Sequence, residues 1–312
     1  MLDFSNSKIL IVGDVMLDKY YFGKVDRISP EAPVPIVNIQ KEESRLGGAS
    51  NVANNIVSLG GHSLLCGVIG HDLFGKEIER ISRHKNIDTF LLKTSSPTIT
   101  KARIIGGKQQ IVRVDYEDKS ELNADNKKLF RDTISRILPE YDILVISDYG
   151  KGLISEDLCR YLIKLAHKYD KKVIIDPKGK NWEKYSGADI VTPNVKELSD
   201  IVGYTVPNTD RAIEKAAREA ITNNHLTALL VTRSDKGMSL IGPIPPIHIP
   251  IHSEEVFDVS GAGDTVVATL GLCLAAGFEI SEAMRTANIA AGIVVKKIGT
   301  ATLTIEELVQ QK

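Results

Sequence analysis

The stretch Asp258-Val259-Ser260-Gly261-Ala262-Gly263-Asp264-Thr265 carries the densest chemistry in this 312-residue chain. Two glycines separated only by alanine let backbone N–H groups crowd against a bound anion. The apolar run that follows (Val266, Val267, Ala268, Leu270, Gly271, Leu272) predicts a helix. The loop therefore falls at a helix N-terminus, where unpaired amides and the dipole favour phosphate. A carboxylate at Asp264 repels the phosphate those amides attract. The conflict resolves if Asp264 takes a proton while the amides hold the charge of a transferring phosphoryl group.

Such a loop needs a frame to position it, and the chain alternates short β-branched runs with longer helical patterns. The expected strands are Lys8–Val12, Ser63–Ile69, Ile143–Ser147, Lys172–Ile175, Ile190–Thr192, Ala228–Thr232 and Met238–Ile241. The expected helices are Ser50–Leu59, Phe74–Arg83, Asp125–Leu138, Glu156–Tyr169, Val195–Val202, Arg211–Asn223, Ala262–Ala276 and Ser281–Val295. Alternation of this kind predicts an α/β fold, a mostly parallel sheet with helices on both faces, and ligands beyond the carboxyl ends of its strands. Two segments break the pattern. Tyr20–Gln40 carries Pro30, Pro33 and Pro35 and ends in the extended run Val34–Ile39, and Thr98–Tyr116 reads as a hairpin turning at Gly106-Gly107. Together they predict a small β-sheet standing off the main body, used as a lid or as a dimer contact.

A net charge of −1 and a pI near 6.7 point neither to nucleic acid nor to an anionic membrane. No stretch approaches the roughly 20 apolar residues of a membrane span, and no secretory signal stands at the N-terminus. Cys66, Cys159 and Cys273 are far apart among apolar neighbours, as buried thiols of a cytoplasmic protein would be. Gly70-His71-Asp72-Leu73-Phe74-Gly75-Lys76 has P-loop spacing, but Glu77 stands where a magnesium-binding Ser or Thr belongs. Gly261 to Val266 lacks the third glycine of a dinucleotide fingerprint and lies too late in the chain. No zinc spacing occurs among the seven histidines.

With Gly47-Gly48-Ala49-Ser50-Asn51-Val52-Ala53 near the front and Gly-Ala-Gly-Asp before a late helix, the whole chain resembles the ribokinase/PfkB family of sugar kinases. The resemblance implies a ribokinase-like three-layer α/β/α domain over residues 1–312, with a β-lid formed by segments about 16–45 and 98–116. It implies that Asp264 is the catalytic base and that the amides of Gly261, Ala262 and Gly263 form the anion hole. Asp14, Gly47, Gly48 and Asn51 would bind the sugar. Asn194, Val195, Lys196 and Glu197 match the family's Asn-x-x-Glu, which organises Mg²⁺ and the nucleotide phosphates, with Glu197 nearest the metal; the same spacing is also that of a capping box. Thr232, Gly237 and Asn288 would flank ATP, while Asp258 and Gly299 sit near the family's monovalent-cation loop.

Within the family, the phrases Gly13–Asp18, Arg27–Pro35, Ser147-Asp148-Tyr149-Gly150-Lys151-Gly152 and Asp176-Pro177-Lys178-Gly179 resemble the heptose 7-phosphate kinases of ADP-heptose and lipopolysaccharide synthesis. That resemblance implies transfer of the ATP γ-phosphate to the anomeric C1 hydroxyl of D-glycero-D-manno-heptose 7-phosphate, in a homodimer. Lys178 is the expected partner of the substrate's 7-phosphate, and Arg103 on the lid hairpin the second choice. With no His-x-Gly-His motif before Lys312, a standalone kinase or a piece of a longer protein is expected. The alternatives are another PfkB sugar kinase, or a non-catalytic sugar or nucleotide sensor on the same scaffold.

Overall fold

A computed structural model describes residues 2–251, 257–297 and 299–311. β1 (Lys8–Gly13) is buried at every position after Lys8, and its side chains alternate between two cores: Ile9 and Ile11 enter one, Leu10 and Val12 the other. A strand apolar on both faces belongs in mid-sheet between two helical layers. The chain continues through two long strands, β2 (Val15–Ile28) and β3 (Pro35–Gly48), and β3 runs straight into α1 (Ala49–Ser58). Then follow β4 (His62–Gly70), α2 (Leu73–His84), β5 (Asp88–Thr94), β6 (Thr100–Gly106), β7 (Gln109–Tyr116), α3 (Ala124–Ile137), β8 (Ile143–Ser147) and α4 (Glu156–Lys168). The remainder comprises β9 (Lys172–Asp176), β10 (Ile190–Val191), α5 (Val195–Val202), α6 (Asp210–Asn224), β11 (Leu229–Thr232), β12 (Met238–Ile241), β13 (Ile247–Ile249), α7 (Ala262–Ala275), α8 (Ile280–Val294) and α9 (Ile305–Gln311).

Among the described residues the large sheet has nine strands in the order β13-β12-β11-β10-β9-β8-β1-β4-β5. From β5 to β11 all neighbours are parallel; β12 and β13 turn back antiparallel. The alternation seen in β1 repeats in β8, where Ile143 and Val145 face one core and Leu144 and Ile146 the other. Each fully buried aliphatic side chain of this kind contributes roughly 1.5–3 kcal/mol. One core is closed by α1, α2, α7, α8 and α9, the other by α3, α4, α5 and α6. After β1 the chain moves to β4 and β5 on one side, then crosses to β8 and onward on the other. The crevice beside β1 is thus the switch point of the sheet, where doubly wound folds bind ligands.

The expected core strands and helices stand within one residue of their bounds. Several elements were not anticipated. β5 is an edge strand that is only half-buried, β13 is short, and α9 follows the helix expected to be last. The segment expected to be extended only over Val34–Ile39 is a pair of 14-residue strands, β2 and β3. With the hairpin β6–β7 they form a separate four-stranded sheet, order β3-β2-β6-β7, in which β2 and β6 are parallel. β7 is exposed along its whole length, and Val25, Ile39, Val112 and Val114 of this sheet stand out into solvent. Among the described residues no helix is long and apolar enough to cross a membrane. All three cysteines are free and buried, and burial pushes the Cys159 thiol up to about 12.

Candidate active site

Asp264 lies in the first turn of α7, a helix buried on nearly every side against α1, α8, β1, β8 and β9. Burial on that scale fixes the carboxylate in space. Asn51 Nδ2 donates to Asp264 Oδ2 at 2.7 Å, and Tyr149 Oη donates to Oδ1 at 2.7 Å. Asn51 is held in turn by α1 and its neighbour Asn55, which accepts from Thr265 Oγ1 at 3.1 Å. Gly261 closes the loop at φ +81°, and a Cβ there would come within 2.8 Å of Asn51 Nδ2, so an L side chain would be strained and would displace Asn51. A Cβ built on Gly263 meets no heavy atom within 4 Å, so the helix opening faces free space. Of the three residues expected to offer amides, Ala262 already donates to Val259 O at 3.2 Å. Gly263 and Asp264 lie in the first turn, where helix geometry supplies no acceptor.

Asp14 occupies the switch point. Its amide donates to Ser147 O at 3.1 Å, joining the ends of β1 and β8. Its Oδ2 accepts from the amides of Tyr149 at 2.9 Å and Lys151 at 3.1 Å, while among the described residues the buried Oδ1 has no hydrogen-bond partner of ordinary geometry. A buried carboxylate oxygen without a donor is costly, and a ligand hydroxyl would satisfy it. Gly48, at φ +56°, lets β3 pass into α1 directly over this point: a Cβ there would sit 2.6 Å from Asp14 O. Gly47 lies against Asp18, whose Oδ2 would be 2.6 Å from an added Cβ. Beside Asp14 opens a cavity of about 380 Å³ lined by hydroxyls, amides and carboxylates, among them Thr94, Ser96, Asp118 and Asn123.

The far side of the crevice carries the residues expected at the nucleotide. Asn194 caps α5, and the capping box is complete: Asn194 Oδ1 accepts from Glu197 N at 2.9 Å, and Glu197 Oε2 accepts from Asn194 N at 3.1 Å. Val195 and Lys196 follow in the same turn, where Lys196 pairs with Asp200. Thr232 bridges to Asn194 at the end of β11, Gly237 packs against Ile249 O, and Asn288 Nδ2 donates to Pro250 O at 2.7 Å. Lys178 Nζ lies 2.9 Å from Glu197 Oε1. The structure therefore groups Lys178 with Glu197, whereas Arg103 stands on the small sheet, paired with Asp18 at 2.6 Å and lying over the Tyr20 ring.

Both oxygens of Glu197 are engaged, and no group of three or more His, Cys, Asp or Glu able to hold a metal occurs among the described residues. Asp258, at the opposite end of the loop, accepts from Ser260 N at 2.9 Å and Gly299 N at 2.8 Å.

Several neighbours of the site carried no role in the sequence reading. Tyr149 stood only inside a matched phrase, Asp18 likewise, and Asp176 was part of the phrase that singled out Lys178. Asp176 ends β9, and burial, then Asp264 and Glu197, hold its carboxyl well above the usual range. Burial pushes Asp264 up to about 6, with Asp18 adding to the rise and Asn51, Tyr149 and Lys101 opposing it. Burial, then Asp148, pushes Asp14 up to about 6 against the amides of Tyr149, Lys151 and Leu153. A base must be ionised to act, so turnover is expected to rise with pH up to about 6 and level off above it. Since Asp14 titrates in the same range, the acid limb should be steeper than one ionisation allows. A pH profile of kcat between about 4.5 and 9 checks this; a limb centred below about 4.5 would contradict it.

A buried carboxylate at an open helix N-terminus, a second one at the switch point and the capped helix α5 are the main features of this region. A model of the pfkB family of carbohydrate kinases matches residues 6–307, and the chain belongs to that family. The bifunctional protein HldE of Haemophilus influenzae (strain PittEE) is 46% identical over 308 residues, covering 98% of this chain and 63% of the relative. HldE of Vibrio vulnificus (strain YJ016) is 45% identical over 310 residues, covering 99% of this chain and 64% of the relative. The chain thus spans under two thirds of the length of these relatives. Phosphofructokinase-2 from Escherichia coli in complex with potassium shares the fold at a TM-score of 0.80 and 20% identity, with 97% of each chain covered. Arabidopsis thaliana ribokinase complexed with ribose and ATP does so at 0.76 and 20%, with 98% of each covered.

Proposed function

We propose that this chain transfers the γ-phosphate of ATP to the anomeric C1 hydroxyl of D-glycero-D-manno-heptose 7-phosphate, giving the 1,7-bisphosphate on the route to ADP-heptose and the lipopolysaccharide core. The observation that carries the chemistry is Asp264, buried in the first turn of α7 and held by Asn51 and Tyr149. The substrate rests on the phrases Arg27–Pro35, Ser147–Gly152 and Asp176–Gly179, and on similarity to HldE along nearly the whole chain.

In this reading the sugar lies between the small sheet and the switch point. Asp14 Oδ1 takes a donor hydroxyl, and Asn51 and the Gly47-Gly48 backbone flank it. ATP lies toward α5 and α8, along Asn194, Thr232, Gly237 and Asn288. Asp264 removes the proton of the acceptor hydroxyl as the phosphoryl group moves in line, and the amides at the start of α7 take up its equatorial charge. Glu197 is the residue that would help hold Mg²⁺, which would draw charge from the ATP phosphates. Asp258 would hold a monovalent cation where one is used. Arg103, with Lys101 next to it, is the cation of the sugar side; Lys178 serves the nucleotide side, because its partner is Glu197. The small sheet is the lid over residues 16–45 and 98–116 of a single kinase domain, and a second copy of the chain covers its exposed apolar face.

Glutamine at the third helical position also completes a capping box. Glu197→Gln is therefore expected to change stability by less than about 0.5 kcal/mol while raising the Mg²⁺ needed for half-maximal rate roughly ten-fold. A thermal melt and a Mg²⁺ titration separate the two roles. The substrate is tested by ADP release across heptose 7-phosphate, fructose 6-phosphate, ribose and adenosine. Strong release with the heptose alone supports the proposal, and preference for another sugar overturns it.

A further inference from the structure

Tyr149 touches both carboxylates of the site. Its hydroxyl donates to Asp264 Oδ1 at 2.7 Å, and its backbone amide donates to Asp14 Oδ2 at 2.9 Å. The loop that carries it is pinned on the other side as well. Asp148 accepts from Gly150 N at 2.7 Å and Tyr185 Oη at 2.6 Å, and pairs with the Lys184 ammonium. The ring cannot drift without breaking these bonds, and Lys101 Nζ caps its face 5.6 Å from the centroid. We propose that Tyr149 is a positioning residue for the transfer: its hydroxyl holds Asp264 in the orientation and ionisation state in which it accepts the sugar's proton, and links that state to the sugar seat at Asp14.

The inference rests on the reading of Asp264 as the base. Asp264 is faced by Asn51 from α1, Asp18 from β2, Lys101 from β6, Tyr149 from the loop after β8 and Asp176 at the end of β9. Burial opposes its ionisation most, and Asp18 adds to that. A phenol O–H donated to a carboxylate is a charge-assisted bond and favours the ionised form. Asn51 donates to Oδ2 and Tyr149 to Oδ1, so the phenol is the donor observed on that oxygen. A tyrosine that only filled space would not move the titration of the reaction.

The test is the pH profile of kcat for Tyr149→Phe, with heptose 7-phosphate and saturating ATP. The acid limb should move about one pH unit upward, giving a roughly ten-fold loss near pH 6 and a much smaller one near pH 8.5. KM for ATP should stay unchanged. Incorporation of 3-fluorotyrosine at position 149 supplies a stronger donor in the same space, and should move the limb downward. A limb that stays in place in both proteins overturns the inference, even if the Phe substitution lowers turnover uniformly. Should Tyr149→Phe fail to fold, the fluorinated protein decides alone. Asp264→Asn is run in parallel. Near-normal turnover there removes the base assignment and this inference with it; an inactive Asp264→Asn with unmoved limbs at Tyr149 removes only this one.

Discussion

Replacing Asp264 with asparagine should lower turnover by about 10³-fold, within the range expected when a positioned general base is lost. Asparagine keeps the shape, so the packing of α7 survives and ATP binding should change by less than about two-fold. What disappears is the carboxylate at the α7 opening that can take a proton. The carboxylate is buried with its titration pushed up to about 6, which leaves it ionised at neutral pH yet basic enough to accept a hydroxyl proton. Paired measurements of kcat and of ATP affinity by calorimetry check both halves. Retained turnover would move the chemistry elsewhere; lost ATP binding would make the residue structural.

The second large effect is expected at Asp14. Asp14→Asn leaves an amide oxygen able to accept from the Tyr149 and Lys151 amides, but its NH₂ group replaces the oxygen that has no partner among the described residues. If a sugar hydroxyl donates to that oxygen, the variant confronts one donor with another. Loss of a charged hydrogen bond in a buried site is worth about 1.5–3 kcal/mol, so the sugar KM should rise roughly ten- to a hundred-fold. KM for ATP should stay where it is. Removing Asp14 should also reduce the acid limb of the pH profile to a single ionisation. Equal losses for sugar and ATP would show that the switch point only holds the fold.

Much of this frame is legible in the chain. The central strands are runs such as Lys8-Ile9-Leu10-Ile11-Val12, too apolar for a half-exposed position, and the helices between them show clear 3.6-residue periodicity. The small sheet was harder to read because its strands bury little. β2 and β3 carry many charges, Pro30 and Pro33 lie between them, their register slips at Phe22/Gly23 and Val25/Arg27, and Lys41, Glu42 and Glu43 give no alternating pattern to see. β5 was missed for the same reason, since an edge strand shares its surface with solvent. In the site, residue identity was easier to anticipate than pairing. Asn51 and Asp264 were both candidates, but they lie 213 positions apart and only the fold shows their contact. Tyr149 is 115 positions from Asp264, and no local spacing marks it as the base's partner. Lys178, expected at the substrate's 7-phosphate, has a partner no local spacing announced: its ammonium lies on Glu197, 19 positions on.

The most direct test of the proposed reaction is ³¹P NMR of the product formed from ATP, Mg²⁺ and D-glycero-D-manno-heptose 7-phosphate. A new phosphate resonance coupled to the anomeric proton, alongside the unchanged 7-phosphate, is the predicted result. A phosphate on any other carbon, or ADP formed without a new sugar phosphate, would contradict it.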